Sequence, residues 1–252
     1  MLKVRVMPTL LFKDVGLVKG RQFVSDRRVG GALQAIRVYN MREVDELVFL
    51  DITATPDGRR PDFAQIDELA DECFMPLAVG GGVTSLDDIR DLLWVGADKV
   101  VVNSGAIANP DLIREGAEHF GSQCIVVAID VKPTGPGRWE VFSHCGQKPT
   151  GLDPVAWARQ AEALGAGEIM LTAIDRDGMM EGYDLAVTRA VSDAVGIPVI
   201  ASGGAGTYQH MAEAVTEGHA AAVAAASMFH FTEQTPKAAK QYLRDAGLRV
   251  RL

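Results

Sequence analysis

Short apolar, β-branched runs alternate with longer amphipathic runs eight times along the 252 residues, and this alternation limits the possible folds more than any other feature. The apolar runs cover residues 4–11, 46–52, 76–80, 99–103, 124–130, 168–174, 198–202 and 221–226. Strands so uniformly apolar are buried on both faces, which means a parallel sheet. Between them lie segments such as ALQAIRVYN, SLDDIRDLLWVG, DPVAWARQAEALG and LAVTRAVSDAVG. These have helical periodicity, and several end at a glycine suited to a C-cap. Eight strand-then-helix units in this length select a closed (β/α)8 barrel, an α/β fold, over an open doubly wound sheet. Residues 1–252 read as one such domain.

The two halves of the chain also repeat one another. DELVFLDI at 45–52 aligns with GEIMLTAI at 167–174, VGGGV at 79–83 with ASGGA at 201–205, and NSGAI at 103–107 with ASMFH at 226–230. TLLFK at 9–13 aligns with AIDVK at 128–132. A barrel need not show this, so a two-half architecture is expected. Both glycine turns, Gly80-Gly81-Gly82 and Ser202-Gly203-Gly204, follow apolar strands. Glycine permits close approach and positive φ, so backbone N–H groups there can converge on phosphate oxygens. The next strand of each half ends in a small hydroxyl residue, at Asn103-Ser104 and Ala226-Ser227. Two adjacent loops and a helix start make one anion cradle in this fold, which points to a ligand with two phosphates. Tight turns alone would also use glycine, but two matched sites favour phosphate.

Asp51, Asp130, Asp175 and Asp177 fall at or just beyond strand C-terminal ends, where active sites of this fold lie. Asp130 closes the otherwise apolar CIVVAID and is the best candidate for proton transfer. Its counterpart in the first half is Leu11. Asp51 and Asp175 serve equally well as loop-ordering residues. Arg5, Glu46, Lys99 and Glu168 stand near strand starts and would form a neutral ring closing the opposite end, a structural plug on fold grounds alone. Lys13 and Lys19 flank a loop, FKDVGLVKG, that reads as mobile and could cover a ligand, although solvated lysines are commoner there. His230 is expected against the last helix, His144 and Cys145 in a turn between the halves, and Met179 and Met180 at a pocket edge.

The net charge of −8 argues against a general binder of nucleic acid or anionic membrane. No apolar run approaches the ~18 residues of a membrane span. The three cysteines have neither metal-ligand nor disulfide spacing, so a cytoplasmic protein without metal or cofactor is expected.

The segments ELVFLDITA, VGGGV, ADKVVVNS, FGSQCIVVAIDVK, GAGEIMLTAIDRDG, GYDL, PVIASGGAG and ASMFHF resemble the cyclase subunit of imidazole glycerol phosphate synthase. The resemblance implies a lyase/cyclase barrel that receives ammonia from a glutaminase docked beneath it and uses it on a bisphosphorylated ribonucleotide. It makes Arg5, Glu46, Lys99 and Glu168 an ammonia gate and Asp98 part of the docking face. Gly82, Asn103, Ser104, Asp177, Gly178, Gly203, Gly204, Ala226 and Ser227 match phosphate-site positions, and Asp130 matches a catalytic aspartate. The second catalytic aspartate falls where Leu11 stands, and Met179 replaces a usual threonine. LLFKDVGLVKG is similar to paralogues that serve sugar amidation in surface-polysaccharide biosynthesis as glutaminase partner and ammonia conduit. The related barrel isomerase of histidine biosynthesis also needs an acid at Leu11, and it leaves the charged ring unexplained.

Overall fold

In the computed structural model, which describes residues 3–251, eight parallel strands close into a barrel. They are β1 (Arg5–Lys13), β2 (Leu47–Asp51), β3 (Leu77–Gly80), β4 (Lys99–Val102), β5 (Ile125–Gly135), β6 (Glu168–Ala173), β7 (Val199–Ser202) and β8 (Ala222–Ala225). Neighbours pair in chain order, and β1 closes on β8 with Arg5 opposite Ala222. The halves join where β4 pairs β5, with Val101 opposite Val126, and where β8 closes on β1; within the second half β5 pairs β6, with Asp130 opposite Thr172. All eight fall on the apolar runs. β1 and β5 extend beyond them because each continues into an antiparallel hairpin.

The outer helices bury one stripe each against the strands, and side-chain caps fix their starts. Ser85 and Asp88 form a reciprocal capping box at helix Leu86–Trp94. Asp153 and Asp184 cap helices Pro154–Ala163 and Leu185–Ser192. Inside the barrel a separate apolar cluster includes Met7, Val48, Ala78, Val126, Met170 and Ala222, so the interior is packed partly by small side chains.

The loop after β1 is not a free lid. Gly16–Arg21 and Val24–Gly30 form an antiparallel hairpin whose first strand pairs with β1. Its turn, Gln22–Phe23, has both residues at positive φ. The Gln22 N–H donates to the Asp177 carbonyl at 2.7 Å. A methyl group at Gly178 would run into the Gly20 carbonyl, so the hairpin lies directly on the Asp177–Gly178 turn. After β5, Arg138–Ser143 and Lys148–Pro149 add a second antiparallel extension. His144 and Cys145 do form a turn, that of this extension, but it lies within the second half and not between the halves, and it reaches the barrel mouth. No helix among the described residues is long and apolar enough to cross a membrane.

Candidate functional site

A cavity opens at the C-terminal end of the barrel, floored by Val101, Ala128, Met170 and Ala224. Asp130, Asn103, Ser104, Asp177, Gly178, Gly203, Gly204, Ala226, Ser227, Gly82 and Lys19 all border it, as does Leu11. The fold therefore brings the phosphate-site candidates and the catalytic candidate to one place. Met179 and Met180 do not form its edge; the chain turns at Met180, which has positive φ, and that side chain packs on the main core.

Asp130 is half-buried and accepts a hydrogen bond from Asn103 Nδ2 at 2.8 Å. Burial, reinforced by the nearby Asp177 charge, pushes its carboxyl up to about 7, against opposing hydrogen bonds from Thr172 and Asn103. Such a group exchanges protons near neutrality. Leu11 presents no group that can do the same from the other half. Asp51 orders its own loop, since its Oδ1 accepts the Thr53 and Ala54 N–H groups and Arg59 lies 2.6 Å from its Oδ2. Asp175 turns one carboxylate oxygen into the interior without a hydrogen-bond partner among the described residues.

Lys19 is not solvated. It is 3% exposed, and its ammonium contacts both carboxylate oxygens of Asp177 at 2.7 Å. Nothing in the sequence pairs these residues, which stand 158 positions apart. Nor does it mark Cys145 as part of the site. The Cys145 thiol borders the cavity and donates to the Ile52 carbonyl at 3.2 Å; burial and the Asp130 and Asp51 charges push it up to about 11. Two positive-φ residues in succession, His144 and Cys145, are the backbone trace of that turn. His230 stands edge-on to Tyr39 of helix Ala32–Met41, and burial lowers its ring to about 4.

At the opposite end the four predicted charges meet. Arg5 lies 2.6 Å from Glu46 and 3.0 Å from Glu168; Lys99 lies 2.8 Å from Glu46 and 3.1 Å from Glu168. Each cation bridges both carboxylates, so the ring is closed and neutral. Asp98, exposed on the same end, accepts the Leu77 N–H at 2.8 Å. Among the described residues no group of three or more His, Cys, Asp and Glu side chains is placed to hold a metal ion.

A closed parallel barrel with a cavity at its mouth and a charged ring at its base makes this a two-ended (β/α)8-barrel protein. The family model described as histidine biosynthesis protein matches residues 5–235, and the chain belongs to that family.

Proposed function

We propose that the chain is the barrel subunit of a glutamine-dependent complex, receiving ammonia at its base from a glutaminase and delivering it to a phosphorylated acceptor at its mouth. The observation that carries this reading is the closed ring of Arg5, Glu46, Lys99 and Glu168 beneath an apolar barrel interior. A plug needs no charge, since hydrophobic residues of similar volume fill such a place at lower desolvation cost. Ion pairs that share partners can open by exchanging contacts, and the apolar interior above them admits neutral ammonia more readily than ammonium. Asp98 beside the ring belongs to the docking face in this reading.

In the histidine-type version the acceptor is a bisphosphorylated ribonucleotide, and Asp130 is the acid–base group for cyclisation and cleavage. A second version is favoured by Leu11, which fills the place of the partner carboxylate: the chain then binds the glutaminase and passes ammonia on for sugar amidation. Proton transfer by a placed carboxylate contributes about 10²–10⁴-fold in rate, so its absence weighs heavily.

The test mixes the purified chain with a glutaminase, then measures glutamine hydrolysis and ammonia-dependent consumption of the bisphosphorylated ribonucleotide, for parent and Leu11→Asp. Glutaminase activation without cyclase turnover supports the conduit; robust turnover by the parent sinks it. Lys99→Met should uncouple glutamine use from delivery, and unchanged coupling rejects the gate.

A further inference from the structure

The first two strands of each half place equivalent residue pairs on opposite sides of the mouth, and the two pairs have opposite chemistry. In the first half Leu11 of β1 lies in register with Leu50 of β2. In the second half Asp130 of β5 lies in register with Thr172 of β6. The repeat aligns Leu11 with Asp130 and Leu50 with Thr172, and all four border the cavity. The glycine turns follow β3 and β7, so β1 and β2 stand on one side of the cavity between them, and β5 and β6 on the other.

Strand alternation aims the two leucines inward. Leu10 and Phe12 are buried in the main core outside the barrel, so Leu11 between them faces the interior. Phe49 belongs to the same outer core, and Leu50 after it packs against the interior apolar cluster. Both leucines are nevertheless only half-buried, as is Ile52, the next inward residue of that strand end. The Cys145 thiol, which burial keeps protonated, donates to the Ile52 carbonyl at 3.2 Å and extends this side without adding charge. Across the cavity Asn103 Nδ2 donates to Asp130 at 2.8 Å, and Thr172 donates to the same carboxylate.

Covering part-exposed leucine with hydrocarbon is favourable, whereas a hydroxyl pressed against it gives up water without gaining a partner. Ligand sites combine such apolar walls with a few placed polar groups that fix orientation. We infer that the mouth takes an acceptor with two unlike edges: an alkyl or aryl group held against Leu11 and Leu50, and a hydrogen-bonding edge facing Asp130, Thr172 and Asn103. A chain or ring hydroxylated on both edges suits this cavity poorly. The inference deepens the function proposed above, on which it rests for the phosphorylated acceptor alone.

Calorimetric titration of the chain alone compares propyl phosphate and phenyl phosphate with glycerol 3-phosphate, which is propyl phosphate with hydroxyls added. Labelled methyl groups of Leu11 and Leu50 report contact by NMR. Propyl or phenyl phosphate should bind on the order of tenfold tighter than glycerol 3-phosphate and shift the methyl resonances of both leucines. The tighter of the two tells alkyl from aryl. Leu11→Asp and Leu50→Thr, which copy the second half, should each abolish the preference, and Leu11→Met should keep it. The ratio of affinities cancels the effect of the new charge on the shared phosphate. Urea unfolding confirms that each variant is folded, and the uncharged Leu50→Thr carries the test if Leu11→Asp does not fold. Glycerol 3-phosphate binding as tightly as both apolar esters, or a preference unchanged in Leu50→Thr, would overturn the inference. If no ester binds, phenol decides: shifts of the two leucines support the apolar edge and count against the phosphorylated acceptor, and no shift overturns both. No glutaminase is present, so each result leaves ammonia coupling to its own assay.

Discussion

Lys19 and Asp177 form a bidentate ion pair that pins the first hairpin to the loop after β6, with both contacts at 2.7 Å and the lysine side chain 3% exposed. Removing one partner of a buried pair leaves the other charge without compensation, at about 3–5 kcal/mol. Lys19→Met should therefore lower unfolding free energy by roughly 3 kcal/mol. The double variant with Asp177→Asn should recover most of that loss. Urea titrations of the two variants check it, and equal instability in both would show that the pair is not what holds the hairpin.

The carboxyl of Asp130 gives a pH signature with a defined sign. Its folded-state pKa is about 7, raised first by burial and then by the Asp177 charge, against about 3.9 for an unfolded aspartate. Between about pH 4 and pH 7 the folded chain keeps a proton that the unfolded chain has lost. This contribution to stability is therefore full below pH 4 and falls as pH rises, by at most about 1.4 kcal/mol per unit, levelling above pH 7. Asp130→Asn should remove that slope. Stability profiles of parent and variant that run parallel from pH 4 to 7 would show that Asp130 titrates as an ordinary aspartate.

What the sequence makes legible here is whatever is periodic or repeated. The eight strands are uniform apolar runs, the glycine turns occur twice, and the four ring charges each mark a strand start. The strand ends and the two hairpins are harder to read. GLVKGR and RWEVFS are short strands with mixed polarity, and the Gln22–Phe23 turn has neither glycine nor asparagine to announce its positive φ. The pairing of Lys19 with Asp177 depends on a contact across 158 positions that no local pattern encodes. The repeat shows that Leu11 and Asp130 are equivalent, yet the bond from the His144 N–H to Ser104 comes from the hairpin after β5, whose sequence the repeat does not align with the hairpin after β1.

Lys240 supplies a further long-range anchor. Its ammonium donates to the Glu43 carbonyl at 2.8 Å and lies 3.2 Å from Asp45, whose other oxygen accepts the Val6 N–H at 2.9 Å. The last helix, Pro236–Asp245, is thus tied to β1 through a pair whose two side chains are 5% and 3% exposed. Lys240→Met should cost about 3 kcal/mol and expose the amides of that helix to hydrogen exchange before the rest of the barrel. Uniform exchange across the barrel would mean that the helix is held by Ala239 and Leu243 packing alone.

Within the basal ring the two glutamates are not equivalent, because the Glu46 side chain is 3% exposed and that of Glu168 is 13% exposed. Glu46→Gln leaves Arg5 and Lys99 facing a single carboxylate in the more desolvated position, so it should cost about 3 kcal/mol. Glu168→Gln has the same formal effect where water can partly screen it, and should cost less, about 1–2 kcal/mol. Pairing Glu46→Gln with Lys99→Met restores neutrality and should recover part of the loss, as a double-mutant cycle would measure. If both single variants were equally and weakly destabilised, the ring would be acting as four solvated surface charges, and its shared contacts could not form a closed gate.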